Sequence, residues 1–364
     1  GMVPLATFSL AASFLVPAPA WTAETVGTPL MFSDFSRGEA GPFAPAVEWQ
    51  WTSSSAGRED VMMTPVVGDV DGDGMPEVVF VGYKGRGPAA GALTILSGDT
   101  GREEGVWTSI EGHSIASWAG VALGDLDGDG KPEIVTVTTD DRLVAIHADG
   151  HAVWVSERSS GEAHASGAPV IADLDADGTA EVVLGRLILS HEGQREAVGS
   201  AGNAQGVSVC VDLDGDGLQE VVVGNAAYRA DGSLLWSNGL PDGMPAVADF
   251  DGDGFGEVAS VAGGSLYLMD TDGTPMWGPK KLPGGRGGPP TVADFDGDGE
   301  PEVAAAGRKG YVVYDTDGSQ LWKRRTVDAS SGVTGSSVYD FEGDGAWEVV
   351  YADEEDFYVY QGVD

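Results

Sequence analysis

The stretch DVDGDGMPEVVF (residues 69–80) sets four acidic side chains within nine residues and then runs straight into an apolar, β-branched segment. The same pattern, D-x-D-x-D-G-x-x-E, begins at Asp69, Asp125, Asp173, Asp212, Asp249, Asp294 and Asp340, with successive spacings of 56, 48, 39, 37, 45 and 46 residues. The mean spacing, about 45 residues, is the size of one four-stranded propeller blade. Each copy is preceded by a short apolar run, such as TPVVG, APVIA, MPAVA or PPTVA, and followed by another, such as EVVF, EIVT or EVVV. The local reading is strand, acidic loop, strand.

A second hairpin follows in most units. LVAIHADGHAVW, AAYRADGSLLW, LYLMDTDGTPMW and YVVYDTDGSQLW each pair an apolar strand with one ending in Trp154, Trp236, Trp277 or Trp322, across an Asp-Gly turn. Asp-Gly between alternating apolar residues is a strong hairpin signal. The seventh unit stops after EVVYADE and DFYVYQGVD, one strand short, while VEWQWTSS near the other end offers a strand with Trp49 or Trp51 in the place of the unit-ending tryptophan. The expected fold is all-β: a seven-bladed β-propeller of four-stranded blades over residues 45–364, its last blade closed by that N-terminal strand, with an arm and linker at 1–44. Closure leaves no large sheet edge open.

In the loop pattern, positions 1, 3, 5 and 9 carry carboxylates and the glycine at 6 lets the backbone fold back sharply. Hard oxygen donors in that number suit Ca²⁺, which takes about six to eight oxygens, a main-chain carbonyl and a water commonly among them. The expected metal ligands are Asp69, Asp71, Asp73 and Glu77; Asp125, Asp127, Asp129 and Glu133; Asp173, Asp175, Asp177 and Glu181; Asp212, Asp214, Asp216 and Glu220; Asp249, Asp251, Asp253 and Glu257; Asp294, Asp296, Asp298 and Glu302; and Asp340, Glu342, Asp344 and Glu348. By analogy with such loops a backbone carbonyl comes from position 7: Met75, Lys131, Thr179, Leu218, Phe255, Glu300 or Ala346. An EF-hand begins alike but needs its glutamate at position 12 and flanking helices. The alternative is a set of metal-free Asx turns. Against it stands the repulsion of four carboxylates crowded together, repeated seven times.

Composition bounds the partners. With 58 acidic and 19 basic residues in 364, the formal net charge is −39. That charge repels phosphate backbones and anionic membrane surfaces, so nucleic acid is an unsuitable partner. The one cysteine, Cys210, sits in the apolar run GVSVCV and reads as core. No run of about 18 apolar residues marks a membrane span. With no disulfide framework available, the metal loops are the expected staple, up to seven Ca²⁺, one per blade.

These seven motifs, with the GAP at Gly167–Pro169 ahead of the third, resemble the FG-GAP (VCBS-type) repeats of integrin α-subunit propellers and their bacterial relatives. The resemblance covers about residues 45–364 and implies a calcium ion in the hairpin between the first two strands of each blade, all on one face of the disc. It also implies an extracellular setting. Two departures stand out: position 9 is always Glu where integrin loops often have Asp, and Glu342 replaces Asp at position 3 of the seventh loop. Integrin α-chains carry such loops in only some blades. The tryptophans that end the blades resemble the docking motif of quinoprotein dehydrogenase propellers, which usually have eight blades and lack acidic loops.

No catalytic constellation is recognisable. His113, His147, His151, His164 and His191 fall in different units, without a nucleophile–base spacing, and each reads as a surface or core histidine. His113 and His164 precede acidic motifs and keep a lyase-like or hydrolase site in view. Two functions follow: a calcium-stabilised binding, adhesion or structural module at the cell surface with protein or glycan partners, or a secreted carbohydrate-active enzyme (polysaccharide lyase or hydrolase) or lectin. Whether segments 86–91, 111–120 and 283–290 converge on one pocket is the most informative point for a ligand, with Trp118 and Arg286 the first side chains to inspect.

The arm reads as a strand at about residues 3–16, where Phe8, Leu10, Ala12, Phe14 and Val16 alternate with Ser9, Ala11, Ser13 and Leu15. It has the A-x-A of a signal peptide at Ala18–Ala20, but its first basic residue is Arg37. A lone strand must pair with this chain or with a neighbour. Pairing with a neighbour in an open series builds a filament.

Overall fold

The computed structural model describes residues 49–362 apart from residues 53, 86–89, 160–166, 203–205, 330–331 and 333. The N-terminal arm, His164 and most of segment 86–91 therefore lie outside the described residues. Among those described there is no α-helix. Five antiparallel sheets have four strands, the first has five and the last has three; a short ribbon joins Ser109–Ile110 to His113–Ser114.

Every acidic loop closes the hairpin between the first two main strands of a sheet, in one register. The residue before position 1 lies opposite the position 9 glutamate each time: Gly68 with Glu77, Gly124 with Glu133, Ala172 with Glu181, Val211 with Glu220, Ala248 with Glu257, Ala293 with Glu302 and Tyr339 with Glu348. Consecutive sheets touch through their first main strands, 66–68 against 121–124, then 170–172, 209–211, Met244–Ala248, 291–293 and 337–339 in turn. This is a propeller-like arrangement.

The core lies between the sheets. Because side chains alternate along a strand, each second strand feeds two cores: Ile134 packs towards the first sheet, and Val135 and Val137 pack towards the third. The same split recurs at Val183 against Val182 and Leu184, and at Val222 against Val221 and Val223. Six clusters join the seven sheets in series. Where the series begins and ends, apolar side chains stay open: Val67 is 63% exposed on the first sheet, and Phe357 is 65% and Val359 51% exposed on the last.

The unit-ending tryptophans are seam pieces. Trp154 donates its indole N–H to the His191 carbonyl at 2.7 Å, Trp236 to Thr271 and Trp277 to Thr316, both at 2.8 Å, in each case the next sheet's Asp-Gly or Glu-Gly turn. A Cβ on Gly193 or Gly273 would come within 2.5 Å of the Trp154 or Trp236 ring, and both glycines have positive φ, so ring and turn fit only with glycine there. Trp49 does the same at the first sheet, donating to the Gly98 carbonyl at 2.8 Å and lying over Gly101. Residues 49–52 carry no strand, and the last sheet has three strands among the described residues.

Candidate metal centres

The loop backbone is held by its own aspartates. Position 1 accepts from the position 6 glycine, as in Gly74 N–H to Asp69 Oδ2 at 2.9 Å, and position 5 accepts from position 7, as in Met75 N–H to Asp73 Oδ1 at 2.7 Å. Equivalent bonds hold the second loop at Asp125 and Asp129 and the fourth at Asp212 and Asp216. These are the Asx-type turns expected of metal-free loops. They do not account for the glutamates.

Each position 9 glutamate is buried, Glu133, Glu257 and Glu302 completely. Its Oε2 accepts the N–H of position 2, at 2.9 Å from Val70 to Glu77, 2.6 Å from Leu126 to Glu133, 2.6 Å from Phe295 to Glu302 and 2.8 Å from Phe341 to Glu348. In six loops position 2 is itself sunk in a core between sheets (Val70, Leu126, Leu174, Leu213, Phe250, Phe295), which anchors the loop over the carboxylate. The other oxygen is Oε1. In Glu133 and Glu302 that Oε1 is buried without a hydrogen-bond partner, a costly state for a carboxylate.

Burial pushes all seven of these glutamates up from the ordinary carboxylate range, desolvation being the largest cause each time. Glu302 reaches about 8, with Asp296, Asp294 and Asp298 adding to the rise and the Phe295 N–H opposing it. In the seventh loop Glu342 shares a hydrogen bond with Glu348 and raises it after burial does.

The carboxylates converge. One oxygen from each of Asp294, Asp296, Asp298 and Glu302 lies within 4.8 Å of the others; Asp69, Asp71 and Glu77 meet in the same way, as do Asp125, Asp127 and Asp129, and Asp173, Asp175 and Asp177. Several acidic clusters thus have the donor set of a hard divalent cation, and the unpartnered buried Oε1 atoms fit such an ion. Neighbouring loops also stack: Lys131 covers Gly72, Phe255 covers Gly215 and Ala346 lies against Gly297, so a position 7 side chain shields the preceding loop.

Two acidic neighbours and a histidine were not legible as part of the loops. The residue that enters the later turn faces position 9 across the strand pair, shown directly by Ser97 opposite Glu77. Its counterparts, which share among themselves a turn one residue shorter, are His147, Ser190, Arg229, Asp270 and Asp315. Asp315 adds to the raised pKa of Asp296. His147, read from the sequence as an ordinary surface or core histidine, instead places Nδ1 3.2 Å from Glu133 Oε1. The signal was its position one residue before A-D-G, which matters only once the register is known.

The other singled-out residues have ordinary settings. His113 pairs with Asp140 at 2.9 Å and His151 with Asp149 at 2.9 Å. Cys210 packs beside the Leu174 cluster, and burial pushes its thiol up to about 12. Ala90 pairs with Ala116, joining the end of segment 86–91 to segment 111–120, whereas Gly284 and Gly288 pack on Lys309 and Thr334. Arg286 donates to the Ala329 carbonyl at 2.8 Å.

A family model described as an FG-GAP-like repeat matches residues 69–136, 125–184 and 249–305. The chain carries FG-GAP-like repeats. The matches begin at position 1 of the first, second and fifth loops, so the family signal coincides with the acidic hairpins. No curated protein sequence matches it. Among solved structures, the V. cholerae biofilm matrix protein Bap1 superposes with a TM-score of 0.75 at 19% identity, covering 87% of this chain and 81% of that one. Rhamnogalacturonan lyase YesW gives 0.53 at 18% identity over 82% and 72%, and the Bacillus licheniformis rhamnogalacturonan lyase PL11 gives 0.52 at 18% over 82% and 71%. At these identities the likeness is one of fold.

Proposed function

We propose that this chain is an extracellular, calcium-stabilised β-propeller that acts as a binding, adhesion or structural assembly module, its seven acidic loops each holding one Ca²⁺. The observation that carries the reading is the buried position 9 glutamate, repeated in every loop, together with the convergence of loop aspartates on Glu77 and Glu302. The twenty-eight carboxylates from Asp69 to Glu348 are the proposed ligands. Calcium bound there neutralises the crowded charge, and seven ions bring the formal net charge from −39 to −25. The cell exterior, where calcium is plentiful, suits such a protein. The seventh site, with Glu342, is the most altered.

Closure belongs to the same proposal. The exposed Phe357 and Val359 mark an unfilled edge on the last sheet, and Trp49 occupies on the first sheet the place that Trp154 occupies on the third. Residues ahead of Trp49 complete the seventh blade in this reading, and the arm at 1–44 docks on an adjacent copy or partner. Deleting residues 1–20 and measuring mass in solution tests the arm: loss of assembly is expected, and unchanged assembly removes the filament role.

Replacing Asp177 or Asp253 with Ala removes a position 5 ligand and leaves three carboxylates facing one another. The expected result is one calcium fewer per chain by metal analysis, with any catalytic rate unaffected. Full stoichiometry in either variant rules out the ligand assignment.

The second reading is a secreted polysaccharide lyase or hydrolase, or a lectin, for which the fold shared with rhamnogalacturonan lyases is the specific motive. A glycan array with and without chelator, followed by product analysis on polysaccharides, separates the two. New chain ends support the enzyme; retained glycan without cleavage supports a glycan-binding module or lectin, and no glycan retained at all leaves the structural assembly module.

A further inference from the structure

The geometry points to a second kind of metal site in the second sheet: Asp127, Glu133 and His147 form a mixed imidazole and carboxylate centre for a transition-metal ion of the Zn²⁺ type. One ligand atom from each of the three lies within 4.8 Å of the other two. His147 Nδ1 stands 3.2 Å from Glu133 Oε1. Two donors bound to one tetrahedral zinc at about 2.0–2.1 Å are themselves roughly 3.3 Å apart. The pair at Glu133 already has that separation.

A cluster of acids alone is not a site. The second, independent observation is Glu133: its side chain is fully buried, and its Oε1 is buried with no hydrogen-bond partner although the imidazole stands beside it. The contact is therefore close without being a hydrogen bond. An ion between the two groups satisfies both. His147 is partly exposed and Asp127 likewise, so the ion has an entry path from solvent.

Position explains why this loop differs. In the first sheet and in the third to sixth the same place opposite position 9 holds Ser97, Ser190, Arg229, Asp270 or Asp315, none of which supplies a nitrogen donor suited to zinc. Imidazole favours zinc over calcium, whereas the all-oxygen sets favour calcium. The inference rests on the calcium reading only in predicting that zinc displaces one calcium from the second loop.

The test is equilibrium dialysis of the full chain against Zn²⁺ in the presence of excess Ca²⁺, with both metals counted, for the wild type and for His147→Ser. Serine occupies this position in the first and third sheets, so the variant keeps the fold. The expected result is one zinc retained and one calcium lost in the wild type, with the variant losing at least about tenfold in zinc affinity and keeping all its calcium, since even an outer partner of a metal ligand is worth that much. Zinc binding by the variant equal to wild type, or no zinc retained by the wild type, overturns the proposal while leaving the calcium count to stand. Zinc bound through His147 with no calcium bound anywhere upholds this site and removes the calcium reading.

Discussion

Removing calcium from the full chain lowers its melting temperature by more than about 10 °C. If each loop binds at about 10⁻⁴ M, as extracellular calcium modules do, millimolar calcium contributes roughly 1.4 kcal/mol per loop. Seven loops together contribute on the order of 10 kcal/mol, as much as a typical domain's whole stability. For a chain of 364 residues each kcal/mol moves the midpoint by about 1.3 °C. The loops are also hinges between the first two strands of every sheet, so repulsion inside them acts on each sheet at once. Thermal melting with calcium and with EGTA is the measurement. A difference of a degree or two would sink the idea that calcium replaces disulfides as the staple.

In calcium-free protein, stability falls as pH rises from about 5 to 8, and in calcium-loaded protein that fall is abolished. The position 9 glutamates carry the effect, because burial raises their folded-state pKa above the unfolded value of 4.5, to about 8 for Glu302. Between those values the folded chain holds protons that the unfolded chain has released, so the contribution is complete at low pH and is lost as pH climbs through the folded value. Calcium requires the deprotonated carboxylate, so its stabilisation grows over the same window. Asp140, Asp177, Asp340 and Asp353, held below the usual carboxylate range, act the opposite way but only at more acidic pH. Melting of dialysed protein across this range, with and without added calcium, reads both slopes. Parallel slopes would show that the buried glutamates are not the ligands that calcium needs.

Much of this was legible along the chain. Strand, acidic loop and strand follow from local chemistry, since Asp and Gly build the turn and the β-branched run after each glutamate builds the strand; the hairpins appear in that register in all seven sheets. The unit-ending tryptophans Trp154, Trp236, Trp277 and Trp322 were equally visible, and so was the repeat length that makes four strands per unit. The third unit, which ends in Ala197 instead of Trp, shows that the seam tolerates a small residue: Ala197 lies against Gly232 where a ring lies elsewhere.

By itself the sequence determined the loops, their four carboxylates and the all-β class, because these depend on residues within a dozen positions of one another. Only the tertiary structure decided that each glutamate is buried; in six loops a position 2 side chain sunk in a core shared with a neighbouring sheet anchors the loop over it. Only the register across the strand pair set His147 against Glu133, fourteen residues away, and Asp315 beside Asp296. Such contacts are fixed by where strands pair and sheets pack, and no local pattern of residues encodes them.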